Sequence, residues 1–233
     1  VKSSLRFAGI GYGHTGTTTL HNFFRLQNIV SEHWTQRTRS LLELHIHDPF
    51  DCVSFANTLQ GIEVVSDAPL TILWHHVFRC FPKTKFILTT RPTNIWIESI
   101  RAWYPHNKTH IFVDRNPSHW GCCPRCADAF KKMMYGEGTP RALTQNFEQH
   151  AQAVQTLLPS KQLLVREVSD PCHNLISFTQ VNSSCKAVNV SIKNEKNFVL
   201  EGFWGGLRVR LRDFLRRWSA RRRRLPTPTA PLA

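Results

Sequence analysis

GIGYGHTGTTTL, Gly9–Leu20, decides how the rest of the chain is read. The apolar run LRFAGIG, Leu5–Gly11, precedes and overlaps it, and TTTLHNFFRLQNIV follows, with Leu20, Phe23, Phe24 and Leu26 at roughly helical spacing. Such a run reads as a buried strand, and the spaced apolar residues read as a helix. Between them, Gly11 to Gly16 has the G-x4-G spacing of a Walker phosphate-binding loop, but Thr17 stands where that loop carries lysine. Backbone N–H groups and a helix N-terminus hold an anion without any side chain. The missing lysine removes the cation that sits over the β- and γ-phosphates. The loop therefore suits one terminal phosphate better than a triphosphate, which counts against a P-loop kinase or NTPase. Taken alone, it is equally a glycine-rich turn with no ligand.

Working outward, strand and helix patterns alternate. Ile62–Ser66 reads as a second strand stopped by Asp67-Ala-Pro69, LTILWHHVFRCF as a helix ending before Pro82, and Lys85–Thr90 as a third strand running into Arg91-Pro92. NIWIESIRAWY is a helix, Ala142–Leu158 is another, QLLVREV is a fourth strand, Pro171–Val181 is helical, and KAVNVSI is a fifth strand. This alternation predicts an α/β fold of three layers around a mostly parallel sheet. Ser31–Pro49 is polar and bears histidines, and no pattern places it. Pro105–Gly138 reads as a long excursion or substrate loop. Two regions follow: an α/β domain over 1–197, then a basic amphipathic helix with a Pro-rich disordered end over 198–233.

The composition is globular, with 233 residues, 41% hydrophobic and 20% charged. The formal net charge of +14 favours anionic partners. The excess is concentrated in RVRLRDFLRRWSARRRR, Arg208–Arg224, so the body is only mildly basic. That tail is most simply a solvated face; it also suits a polyanion or membrane headgroups, and nothing in it implies a specific nucleic acid. There is no run of 18 apolar residues to cross a membrane. The chain starts at Val1, one short strand before the loop, and reads as an N-terminally truncated or processed form. Seven cysteines are too few for a disulfide scaffold at this length. Cys172 and Cys185 flank a helix and can pair. GCCPRC, with a single Cys-x2-Cys, reads as a local disulfide or free thiols rather than zinc. Asn107, Asn182 and Asn189 begin N-x-S/T sequons, weak support for a lumenal glycoprotein.

A second element bears on the loop. Arg91 follows the third strand, and Ser99 lies eight residues later, in the next helix. An arginine at the carboxyl edge of a strand points to the ligand side of an open α/β sheet, and the serine can turn toward the same anion.

These residues resemble the sulfotransferase family that uses 3′-phosphoadenosine 5′-phosphosulfate. Its 5′-phosphosulfate loop has the form Lys/Arg-x-Gly-Thr-Thr after the first strand; this chain reads His14-Thr15-Gly16-Thr17-Thr18. Its 3′-phosphate motif, Arg then Ser eight residues on, follows a strand of the type KFILTxR; this chain reads KFILTTRPTNIWIES. LLPSKQLLVREVSDP is similar to a later strand of the family, so the likeness spans Leu5–Ile192. The loop continues Thr19-Leu20 without the aromatic residue of cytosolic small-molecule members, which places the likeness closer to Golgi-type members. The resemblance implies sulfo transfer to a hydroxyl or amine acceptor, carbohydrate or small molecule, with 3′,5′-adenosine bisphosphate as product, no metal, and a Golgi lumenal or membrane-associated setting. It implies that Gly13, His14, Thr15, Gly16, Thr17 and Thr18 hold the 5′-phosphosulfate and that Arg91 and Ser99 hold the 3′-phosphate. It makes His14 the transferring cation, in place of the usual Lys or Arg. With an ordinary pKa of about 6.5, that cation would form as pH falls toward 6. It also makes Asp67 the candidate base, with His75, His76, His106 and His110 as fallbacks; an aspartate at a strand end is equally a turn residue. The histidine leaves open a weak or inactive relative that binds nucleotide or sulfated glycan.

Overall fold

A computed structural model describes residues 5–47, 51–103 and 124–182. Five parallel strands form one sheet in the order β2-β3-β1-β4-β5. They are β1 (Phe7–Gly9), β2 (Ser31–His33), β3 (Val64–Ser66), β4 (Lys85–Thr90) and β5 (Leu163–Glu167). The helices are α1 (Thr17–Arg25), α2 (Gln36–His47), α3 (Cys52–Thr58), α4 (Leu70–Cys80), α5 (Thr93–Trp103), α6 (Pro124–Tyr135), α7 (Pro140–Leu157) and α8 (Cys172–Thr179). The three-layer α/β architecture expected from the sequence is the one observed.

β1, β3 and β4 are buried along most of their length, as strands covered on both faces must be. On one face, Leu20, Phe23 and Phe24 of α1 pack with Phe7, Val64, Ile87 and Leu175 of α8. Each such side chain contributes about 1.5–3 kcal/mol on full burial. On the other face, Leu70, Leu73 and Val77 of α4 meet Ala8, Val65, Phe86 and Val154 of α7. A third cluster gathers Tyr12, Trp96, Phe130, Leu143 and Phe147 around the loop, α5, α6 and α7. Local signals set the helix starts: Asp51 accepts the N–H groups of Val53 and Ser54, and Thr139 accepts that of Ala142 ahead of Pro140.

Parallel register aligns Gly9 with Ser66 and Ser66 with His33. The carboxyl ends of β1, β3 and β2 therefore lie side by side. β1 and β4 are neighbours, and the chain leaves β1 toward β2 and β4 toward β5, in opposite directions, which opens a crevice at their carboxyl ends.

One reading is corrected and two gaps are filled. Ser31–Pro49 supplies β2 and α2; a strand as short and polar as Ser-Glu-His carries no hydrophobic period and exists only because β3 pairs with it. The span read as one excursion contains α6; residues 104–123 lie outside the described residues. The cysteines were read as too few for a disulfide scaffold, with a local disulfide or free thiols at GCCPRC and Cys172 able to pair; Cys52 and Cys80, which that reading did not pair, form a disulfide joining the start of α3 to the end of α4, and Cys126 and Cys172 are disulfide-bonded. KAVNVSI, the 197/198 boundary, the arginine-rich tail, Cys185 and the sequons at Asn107 and Asn189 fall outside the described residues. No described helix is long and apolar enough to cross a membrane.

Candidate active site

The loop is built from the inside. Thr15 donates its hydroxyl to the Tyr12 carbonyl at 2.6 Å and shares a 2.7 Å hydrogen bond with the Thr89 hydroxyl, while its N–H also reaches the Tyr12 carbonyl at 3.2 Å. Both donors of Thr15 are thus engaged within the protein, and it shapes the loop. Thr71 donates to the Gly11 carbonyl at 2.7 Å, and the Trp96 indole donates to the Gly13 carbonyl at 2.9 Å. His150 Nε2 donates to the Ile10 carbonyl at 2.8 Å. With its carbonyls tied back into α4, α5 and α7, the loop keeps a defined shape. A Cβ at Gly11 would collide with Thr89. Gly16 sits at φ 100° against Val168, so two of the glycines are required sterically.

Gly16 caps α1 and offers no side-chain hydrogen bond to the helix start. The first N–H groups of a helix lack intrahelical partners and carry its positive end. Thr17 is buried and Thr18 half-buried at that end. These backbone N–H groups are of the kind that hold an anion without a lysine.

The second element meets the first. His14, held at φ 69°, places Nδ1 3.3 Å from the Ser99 hydroxyl of α5. Arg91 follows β4 and lines an open cleft of about 490 Å³ with Thr93, Glu148 and Glu167. Burial pushes the His14 pKa down to about 4; the charge of Asp67 raises it and that of Arg91 lowers it further. At that value His14 is neutral at pH 7. Its charge does not follow from the ordinary value used in the sequence reading.

Asp67 follows β3 at φ 72°, a conformation strained for an aspartate, and its Oδ1 accepts the Ala68 N–H at 2.8 Å. A Cβ built on Gly13 would lie 3.5 Å from Oδ1, so the carboxylate borders the loop. Its Oδ2 lies 3.1 Å from Nε2 of His33, the last residue of β2, and both side chains are over four-fifths buried. The same Nε2 is 3.1 Å from the Thr17 hydroxyl. An ionised carboxylate only accepts, so Nε2 carries the proton. Burial alone would raise the Asp67 pKa; the hydrogen bond and charge of His33, the Ala68 N–H and His14 outweigh it and hold the carboxyl below its usual range. Beyond His33, His21 of α1 lies ring to ring at 5.5 Å and bonds Ser31 at 2.8 Å.

The structure thus brings together Gly13, His14, Thr17, Asp67 and Ser99, with Gly16 and Thr18 at the helix start and Arg91 at the cleft. His33 was missed. The only signal for it was a histidine in an unplaced polar segment, and its position depends on the β2–β3 pairing. The fallback bases His75 and His76 cluster instead with His45 between α2 and α4, while His106 and His110 lie outside the described residues. Among the described residues no group of three or more His, Cys, Asp or Glu side chains is arranged to hold a metal.

The family model of the sulfotransferase domain matches residues 6–197. The chain belongs to the sulfotransferase domain family. Sulfo-group transfer is the activity this membership supports, and the matched span contains both the loop and the Arg91–Ser99 segment. A comparison with curated proteins found no match. The crevice of this sulfotransferase domain is its candidate active site.

Proposed function

We propose that this sulfotransferase domain moves the sulfo group of 3′-phosphoadenosine 5′-phosphosulfate to a hydroxyl or amine acceptor, with carbohydrate the first class to try. The observation that carries this reading is the His14–Ser99 contact, which joins the loop to the Arg91–Ser99 element in one site. The residues fit the donor. An uncapped helix start with Thr17 and Thr18 suits the 5′-phosphosulfate, and Arg91 with Ser99, the latter brought to His14 from 85 residues along the chain, suits a 3′-phosphate. In this reading the acceptor oxygen or nitrogen attacks sulfur in line, and the bond from sulfur to the 5′-phosphate oxygen breaks. The acceptor proton goes to Asp67, which is ionised and borders Gly13. His14 acts first as a neutral N–H donor, and an anion beside it raises its pKa toward the cation. A second reading, a slow or inactive relative that binds nucleotide or sulfated glycan, is favoured by the lowered pKa of His14, which leaves it without a permanent positive charge.

We also propose an oxidising lumen, with the Golgi as the compartment the sequence resemblance implies. The Cys52–Cys80 disulfide and the bonded state of Cys126 and Cys172 support it, because disulfides persist where thiols are not kept reduced.

Calorimetry with 3′,5′-adenosine bisphosphate against ATP and magnesium tests the donor. The bisphosphate is expected to bind at least tenfold tighter, a difference of about 1.4 kcal/mol; tighter ATP would overturn the reading. Sulfo transfer to a panel of glycans, phenols and amines then separates an active enzyme from a binding relative.

A further inference from the structure

We propose that His33 is a positioning residue for the base, holding the Asp67 carboxylate on the same nitrogen that meets the Thr17 hydroxyl of the donor loop. This inference rests on the reading of Asp67 as base. It adds a residue that neither loop motif contains.

Three observations carry it. The parallel register of β2 and β3 sets His33 beside Ser66, immediately before Asp67, so the backbone delivers the imidazole to the carboxylate. His33 Nε2 stands 3.1 Å from Asp67 Oδ2 and 3.1 Å from Thr17 Oγ1, which makes one N–H the shared point between base and loop. Asp67 itself is held in a positive-φ conformation, with Oδ1 on the Ala68 N–H. With both oxygens engaged from fixed directions, the lone pairs that remain are aimed, and Oδ1 faces Gly13. A carboxylate tethered at one oxygen only would rotate about its side chain and lose that aim.

Among the described residues, titratable groups face the pair from several elements. Asp67 is faced by His33 from β2 and by His14 from the loop. His33 is faced by His21 of α1, which in turn feels Arg25. Arg91, after β4, acts on His14. The neighbouring Glu32 is engaged elsewhere, by Thr35 and Arg37.

The experiment compares the parent with His33→Ala, His33→Gln and Asp67→Asn. Two readouts are used: the pH profile of kcat/KM for sulfo transfer, and a ¹³C NMR titration of the Asp67 carboxyl, which needs no activity. Bisphosphate calorimetry on each variant confirms a folded loop. In His33→Ala the Asp67 titration and the acid limb of kcat/KM are expected to move up together, by about one to two pH units. His33→Gln, which keeps an N–H near the Nε2 position, is expected to recover at least half of that displacement. If the carboxyl titrates at the same pH in parent and His33→Ala, or if His33→Gln is no closer to the parent than His33→Ala, the inference is overturned. Transfer that survives in Asp67→Asn sinks instead the underlying reading of Asp67 as base, and the NMR titration still decides whether His33 holds that carboxylate.

Discussion

His150 gives a direct test of how the loop is braced from behind. Its Nε2 donates to the Ile10 carbonyl at 2.8 Å, which fixes the neutral tautomer with the proton on Nε2, and its ring packs edge-on to Tyr12 at 5.2 Å. Burial pushes its pKa down to about 4, against a smaller opposing effect of the hydrogen bond to Ile10. The folded protein therefore keeps His150 neutral at a pH where the unfolded chain, near 6.5, has already bound a proton. Where the unfolded state binds more protons, stability falls as pH falls, so this contribution is intact above pH 7 and is lost between about 6.5 and 4. For those two values the loss is about 2 kcal/mol at pH 5 and about 3 kcal/mol at pH 4. His150→Gln keeps an N–H for Ile10 and removes the titration. Urea unfolding of parent and variant at pH 8, 7, 6, 5 and 4 measures the difference. At pH 8 the parent is expected to be the more stable, and its advantage should shrink by about 2 kcal/mol on going to pH 5. The other depressed histidines, His14, His21, His45, His75 and His76, titrate in both proteins and cancel. A parent-to-variant difference that stays constant within about 0.5 kcal/mol from pH 8 to pH 4 would refute the reasoning, because at least about 2 kcal/mol of linkage is required.

Three further outcomes are expected. Arg91→Ala should weaken 3′,5′-adenosine bisphosphate by about tenfold to a hundredfold, the worth of a charge-assisted contact, and barely alter adenosine 5′-phosphate; equal losses by calorimetry would place Arg91 at the wrong end of the nucleotide. His14→Ala should lower kcat about a hundredfold while still binding the bisphosphate, and His14→Lys should match or exceed the parent. Because His14 titrates near 4 in the free protein, its protonation should leave kcat/KM flat from pH 6 to 8; a rise toward pH 6 that His14→Lys abolishes would contradict that pKa. Replacing Cys52 and Cys80 by serine opens a link across 28 residues and should cost about 3–4 kcal/mol on the loop-entropy estimate, read as a lower urea midpoint.

Much of this domain is legible one segment at a time. β4, α5, α7 and β5 follow from runs and periods that each segment carries alone, and their observed bounds fall within a few residues of those read from the chain. The loop is the clearest case. Glycines at 11 and 16, a preceding apolar run and a following amphipathic helix need no partner to be recognised, and the missing lysine is a matter of residue identity. The Arg91–Ser99 spacing is likewise local.

What the sequence left open depended on neighbours distant along the chain. β2 is three polar residues, and it is a strand because Val64–Ser66 pairs with it. His33 reaches Asp67 across 34 residues and Thr17 across 16 only through that pairing. Cys52 and Cys80 meet because α3 packs on α4, a contact that spacing cannot reveal. Thr15 reads as a ligand-gripping hydroxyl until Thr89 and the Tyr12 carbonyl are seen to engage it. The charge of His14 is the sharpest instance. Its identity names a residue that titrates near neutrality, whereas the desolvation around it and the opposing charges of Asp67 and Arg91 set where it does so. Residue type and local period are properties of the chain; register, burial and the electric field at a side chain are sums over atoms that only folding brings together.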